Sequence, residues 1–271
     1  MTVARLCYAG PGAAPVRISA LTSLTKCPAS MILQRAFDRG SGAAADTGSA
    51  VGRLVQLHHE GWIADDAIER ARREAPTEFP LADLARAERL YLSYAADPRN
   101  PRDVVVKGTC EQEVRLVLPP DAHDPTGQPI HLVGHVDQIR HHPDGRLRVW
   151  DTKAGKLDDG LAMTRVYAWQ LAAYALAATA TLGRPVLPGG IIRLAGYEAR
   201  DAEPSSGQAS THYETPWTLD ECATMLASVS ALIAMIRRGD VLMLPGSHCR
   251  WCPGEAPNLC ADRLAPEHVL L

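Results

Sequence analysis

The stretch "GHVDQIRHHPDGRLRVWDTKAGK", residues 134 to 156, sets two short apolar-alternating runs on either side of a Pro143-Asp144-Gly145 turn. Alternation of this kind is a strand signature and Pro-Asp-Gly is turn chemistry, so the segment predicts a β-hairpin. Three charged residues, Asp137, Asp151 and Lys153, stand where strands normally exclude charge. If the turn pairs His142 with Arg146, counting outward places Asp137 opposite Asp151. Asp151 and Lys153 are two apart on one strand and share a face. Two carboxylates and one ammonium therefore converge near one end of a sheet.

Adjacent carboxylates repel and burial penalises each charge, so the cluster needs compensation. A divalent cation supplies it: Mg2+ takes hard oxygen ligands, keeps several waters, and binds through one or two carboxylates plus substrate phosphate. The expected ligands for Mg2+ or Mn2+ are Asp137, Asp151 and the backbone carbonyl of Thr152. Lys153 would orient or deprotonate the attacking water and offset charge developing on a phosphate. A bare D-x-K also arises as a surface ion pair. Here the "GHVD" run, the hairpin spacing and the apolar "LRVW" before Asp151 favour the metal site.

The chain has 271 residues, 46% hydrophobic and 22% charged, which excludes wholesale disorder and a collagen-like fibre. A formal net charge of -3 gives no global signal for a duplex-coating protein. The opening "MTVARLCYAGPGAAPVR" lacks a long apolar core, and "YAWQLAAYALAATATL" (167 to 182) is too short to span a bilayer comfortably and contains Gln170. A soluble, cytoplasmic protein without membrane contact is expected. In such a chain seven cysteines point to metal or cluster chemistry rather than disulfides.

One domain is expected over 1 to 271: a flexible start (1 to 18), a helical region (19 to 100), a core (101 to 240) and a cysteine-rich loop (241 to 271). Helices are predicted over 19 to 37, with Ser19 or Thr22 as cap, 48 to 59, 64 to 74 and 81 to 97, with "GSGAAADTG" as a loop. Strands follow over 104 to 118, in the hairpin and over 189 to 197, with "THYETPW" as an edge strand. Helical spacing recurs over 165 to 182 and over 218 to 239, the latter capped by Thr218. Helices, antiparallel strands, helix, strand, helix is the order of a mixed α/β (α+β) fold.

The hairpin resembles the PD-(D/E)XK nuclease superfamily, and in particular its RecB-like branch, which includes AddB-type helicase-nucleases and iron-sulfur CRISPR-associated exonucleases. That branch pairs a G-x-(I/V)-D strand with a strand ending in D-x-K, matched by Gly134 to Asp137 and Asp151 to Lys153. A helix with Q-x-x-x-Y follows there, matched by Gln170 and Tyr174, which are four apart and share a helix face. The resemblance implies a restriction-endonuclease-like core with a central mixed sheet flanked by helices, and catalytic roles for Asp137, Asp151, Lys153, Gln170 and Tyr174. Gln170 and Tyr174 would position substrate or Lys153.

"HCRWCPGEAPNLC" supplies Cys249, Cys252 and Cys260, and a tetrahedral site or iron-sulfur cluster needs a fourth ligand. Cys27 is the candidate: Pro28 follows it as Pro253 follows Cys252, and the iron-sulfur subgroup has one early cysteine and a late triplet. The C-x2-C-x7-C spacing is longer than the family's C-x2-C-x5-C. The resemblance implies a structural 4Fe-4S cluster clamping the N-terminal helices to the C-terminus; zinc remains the alternative. Closing so long a loop would restrict the unfolded chain. Cys7, Cys110 and Cys222 read as ordinary thiols, Cys222 as core.

One departure stands out. The family places a metal-binding His in a helix segment like G-T-A-V-H, but "GSAVG" puts Gly52 there. His58 and His59 stay outside the expected site, while Glu111 or Glu113 could substitute. The expected activity is metal-dependent DNA cleavage, as an exonuclease on single strands or ends, with a helicase or recombination partner. The alternative is a non-catalytic nucleic-acid-binding or assembly subunit that keeps the fold. No G-x-x-x-x-G-K-[ST] loop is present, so ATP-driven unwinding would come from another chain.

Overall fold

The computed structural model describes residues 15–28, 43–75, 81–154, 165–194 and 210–238, together with Asp240 and Leu244. The described residues begin inside the segment expected as a flexible start. β1 (Val16–Arg17) leads into a 3-10 turn (Ile18–Ala20) and α1 (Leu21–Lys26). Val16 and Ile18 are buried, two apolar anchors within a Gly/Pro-rich context. Neither Ser19 nor Thr22 caps α1; Thr22 Oγ1 donates back to the Ser19 carbonyl. The helix expected through residue 37 stops at Cys27, which is extended (φ -161°, ψ 111°) because the Pro28 ring disfavours a helical residue before it. Residues 29 to 37 lie outside the described set.

Three helices follow, α2 (Ala43–His59), α3 (Ala64–Glu74) and α4 (Leu81–Ala95). α2 begins five residues before Gly48, because the run Ala43-Ala44-Ala45 carries the highest helix propensity and extends it through the expected loop. The remaining elements are β2 (Gln112–Leu118), β3 (Ile130–Val136), β4 (Gln138–His141), β5 (Leu147–Lys153), α5 (Ala168–Leu182), β6 (Val186–Arg193), β7 (Thr211–Glu214) and α6 (Leu219–Arg238). Of the strand expected from residue 104, Val105 makes only a single bridge, to Arg140, before a turn leads into β2. Thr218 and Glu221 cap α6 reciprocally: each backbone N–H donates to the other's side chain, at 2.7 and 3.2 Å.

The mixed sheet comes in two parts, ordered β1-β3-β2 and β4-β5-β6-β7. β1 runs parallel to β3 and β5 parallel to β6; the other pairs are antiparallel, and β7 is an edge. Asp137 is the single residue between β3 in one sheet and β4 in the other. The hairpin register agrees with the sequence reading. His142 and Arg146 close the turn, with Gly145 at a φ of 81°, and Gln138 pairs with Trp150, which brings Asp137 level with Asp151.

β5 is buried on both faces, and its period of two sorts the fold into layers. Leu147 and Val149 join a core with β2, β3, α5 and α6, while Trp150 joins a second core with α2, α3 and α4. α5 lies in the first core, where Ala172, Ala173, Ala175, Ala177 and Ala178 allow backbones to approach closely. α6 is long and apolar enough to cross a bilayer, yet its Cys222, Leu226, Val229, Ile233 and Ile236 stripe is buried in the same core.

Gly134 is required where Tyr174 crosses β3: a Cβ there would lie 3.0 Å from Tyr174 Cε1 and 3.1 Å from Ile18 Cβ. Gly134→Ala is expected to destabilise the protein by about 1–3 kcal/mol, as overpacking does. Urea unfolding should show a lower midpoint at unchanged slope; an unchanged midpoint would mean that Tyr174 and Ile18 move aside freely.

Candidate active site

Because residues alternate along β5, Asp151 and Lys153 follow Leu147 and Val149 toward α5, and Thr152 follows Trp150 toward the helices α2 to α4. Asp151 is 2% exposed. Its Oδ1 accepts from Gln170 Nε2 at 2.8 Å, and its Oδ2 lies 2.6 Å from Lys153 Nζ. Asp137 is half-buried at the sheet junction, and its Oδ2 accepts from the Thr152 backbone N–H at 2.6 Å. The structure thus brings Asp137, Asp151, Thr152, Lys153 and Gln170 together. Gln170 holds Asp151 rather than Lys153. Tyr174, buried against Gly134, completes that face of α5.

Burial, and then the charge of Asp151, push the Asp137 carboxyl well above the ordinary carboxylate range. Burial pushes the Tyr174 phenol up too, reinforced by Asp151, Asp137 and Glu111. Burial alone would lower the Lys153 ammonium, but Asp151 and Asp137 outweigh it and hold its pKa above the ordinary value. The two carboxylates thus favour the charged form of Lys153, which suits orienting and charge-offsetting work.

Thr152 is held from behind. Gln138, fully buried, donates from Nε2 to Thr152 Oγ1 at 3.2 Å, while its Oε1 accepts from Arg140 Nε at 2.7 Å and Tyr94 Oη at 3.0 Å. Two donors on the oxygen leave only the nitrogen to face Thr152, which settles the amide orientation. Arg140 also donates to Tyr94 Oη and Asn100 Oδ1.

The residue outside the expected set that the fold brings in is Glu111. A Cβ on Gly52 would lie 3.0 Å from Glu111 Oε1, so the glycine leaves room for this carboxylate. Partial burial and the Asp151 charge raise the Glu111 carboxyl against the opposing pull of His135 and Lys153. Glu111 has a φ of 52°, unusual for a residue with a side chain. The departure at Gly52 and the Glu at 111 are both legible in the sequence; their adjacency is not. Glu113 instead pairs with Arg115 on the surface at 2.8 Å. His59 binds Tyr94 Oη at 2.7 Å and the Arg102 carbonyl, and His58 contacts the Asn100 carbonyl, so both serve the helical layer.

Ser210, His212 and Asp97 also meet, but Ser210 Oγ donates to Asp97 rather than to the histidine, and Ser210 and Asp97 are buried. That set is a structural tie, not a nucleophile. Cys222 is core, and burial pushes the Cys222 and Cys110 thiols up to about 12. Of the four expected cluster ligands only Cys27 is described. It is buried, and the Leu244 N–H, five positions before Cys249, approaches its Sγ at 3.5 Å. Cys249, Cys252 and Cys260 lie outside the described residues.

Among the described residues no three His, Cys, Asp or Glu side chains close into a metal-ligand group. A Mg2+ or Mn2+ ion asks for less: one or two carboxylates, with a carbonyl, waters and phosphate as the remaining oxygens. Asp137, Asp151 and the Thr152 carbonyl offer that hard-oxygen set. Asp151 Oδ2 is buried without a hydrogen bond, its near cation being Lys153. The donors fit such an ion.

The chain belongs to the PD-(D/E)XK nuclease superfamily, which it matches over residues 17–257. Members of that superfamily are typically metal-dependent nucleases that use Mg2+ or Mn2+ and act on DNA. Among solved structures the chain is similar to that of SSO0001, with 14% identity, a TM-score of 0.43, and coverage of 96% of this chain and 92% of that one. No curated protein matches the sequence.

The strained carboxylate has a sign that can be measured. A folded-state pKa raised above the unfolded value means that the native state holds the extra proton. Its stabilisation is complete below about pH 4 and is lost as pH rises through the raised value. Without divalent metal, Asp137→Asn should therefore melt several degrees above wild type at pH 7.5, at about 2–4 °C per kcal/mol, and the gap should close toward pH 4. Parallel melting curves across this range would show that Asp137 is not strained.

Proposed function

We propose that the protein is a Mg2+- or Mn2+-dependent deoxyribonuclease of the RecB-like branch, an exonuclease acting on single strands or DNA ends in the cytoplasm. The observation that carries this reading is the junction geometry: Asp137 accepts from the Thr152 N–H, and Asp151 lies between Gln170 and Lys153. A surface ion pair would leave Asp151 exposed and Asp137 elsewhere. Burying two carboxylates together is costly for a protein with no cation to place there.

In this site Asp137, Asp151 and the Thr152 carbonyl would hold the ion, which when bound would supply charge neutralisation at the phosphate and activation of water. Gln170 locks Asp151 in one rotamer, and the Gln138–Thr152 hydrogen bond locks the strand end that offers the carbonyl. Lys153 presents its ammonium to the phosphate and offsets the charge that builds as water adds to phosphorus and the ester oxygen leaves. Glu111 lies beside Gly52, where the family's histidine is missing, and its charge is felt at Asp137 although the three carboxylates do not close into one ligand group.

A 4Fe-4S cluster held by Cys27, Cys249, Cys252 and Cys260 is the proposed staple. Support comes from the burial of Cys27 and from the Leu244 amide, five positions before Cys249 in sequence, which meets the Cys27 sulfur. A helicase or recombination partner is the proposed source of the substrate. Gly52 favours the second reading, a non-catalytic DNA-binding subunit; the carboxylate of Glu111 beside it counts against that.

Anaerobically purified protein should contain iron and absorb in the visible range, and should cleave single-stranded DNA with Mn2+. Asp151→Ala and Lys153→Ala should each lower cleavage at least about a hundredfold, the scale of a positioned catalytic group. A colourless, zinc-loaded protein that cuts no DNA form would support the binding subunit instead.

A further inference from the structure

The Q-x-x-x-Y pair belongs to a longer stripe. Tyr167, the residue before α5, lies three positions before Gln170 and seven before Tyr174, so the three share one helix face. The centroid of its ring lies 4.8 Å from Lys153 Nζ, which is also 2.6 Å from Asp151 Oδ2. Gln170, one turn along, donates to Asp151. The start of α5 thus meets both charged residues of D-x-K, an aromatic face at the lysine and an amide at the aspartate.

A lysine side chain has four rotatable carbons, and one carboxylate contact leaves its ammonium free to swing. A second contact on an aromatic face removes that freedom. Tyr167 can supply it because its own ring is fixed: half-buried, it packs on Leu171 of α5 and Ile191 of β6. Burial, opposed by the Lys153 charge, raises the phenol above its ordinary pKa, so the hydroxyl stays protonated and the π face makes the contact.

We infer that Tyr167 is a positioning residue for Lys153, its ring confining the ammonium beside Asp151. What Lys153 does chemically rests on the nuclease reading; where it is held does not. The ring is the working part, and its hydroxyl is dispensable.

Full-length wild type, Tyr167→Phe and Tyr167→Leu separate these statements, with Tyr167→Met in place of the leucine variant should that fail to fold. Two quantities are read. The rate of reductive methylation of Lys153 by formaldehyde and cyanoborohydride, followed by peptide mass spectrometry, needs neither metal nor DNA. The kcat and KM of Mn2+-dependent cleavage of single-stranded DNA report the consequence. Expected for Tyr167→Leu is Lys153 methylation at least threefold faster. Its kcat should fall about two- to thirtyfold, the span of a cation–π contact, at unchanged KM. Tyr167→Phe should match wild type in both. A leucine variant with wild-type methylation and kcat, or a phenylalanine variant as impaired as the leucine one, overturns the assignment. The methylation contrast decides Tyr167 whether or not the wild type cleaves DNA, so failure of the nuclease reading and failure of this one are separate results.

Discussion

Asp137 and Asp151 are held side by side at the point where the chain passes from one sheet to the other, and the rest of the site is arranged to tolerate that repulsion. Each carboxylate is met by a donor that cannot easily move away. Thr152 offers a backbone N–H to Asp137, and Gln170 offers an amide to Asp151 from a helix packed into the core. Among the described residues Lys153 contributes the ammonium in direct contact, at Asp151. These donors fix position but do not cancel two negative charges, which is why Asp137 is pushed toward its neutral form. A site with that imbalance is disposed to accept a cation.

The scaffold behind it is polar in an unusual place. Arg140 and Gln138 are buried between β4 and α4, joined to Tyr94 and Asn100, and the chain of hydrogen bonds ends on Thr152. A buried guanidinium needs each of these partners, since an unsatisfied donor there would cost about 1–3 kcal/mol. The satisfied network ties the helical layer to the strand end that carries the D-x-K residues. His59, which the sequence leaves as a stray candidate ligand, is one of its outer members through Tyr94. Burial lowers the pKa of that histidine to about 4, against the pull of the Arg102 carbonyl.

Legibility followed the range of the interaction. The hairpin register is readable because turn chemistry and a period of two are local, and Asp137 opposite Asp151 follows by counting. Thr218 as a cap and α3 are readable for the same reason. The break at Cys27 was signalled by Pro28, though the apolar spacing on both sides argued for one helix. β1 was not readable, because two residues of strand have no period and gain their partner from β3 across more than a hundred residues. Glu111 lies between these cases: a visible carboxylate whose place beside Gly52 depends on how α2 packs over the start of β2.

By itself the sequence determined the mixed α/β order, the hairpin and the convergence of two carboxylates with a lysine, since each depends on residues close together or on strict alternation. It also placed Gln170 and Tyr174 on one helix face. Only the tertiary structure decided which partner each group meets: Gln170 on Asp151, Tyr167 on Lys153, Glu111 beside Gly52, and His59 turned to Tyr94. The physical reason is that periodicity sets the direction in which a side chain points, whereas its partner is chosen by the packing of elements distant in sequence, here α5 against β5 and α2 against the turn before β2.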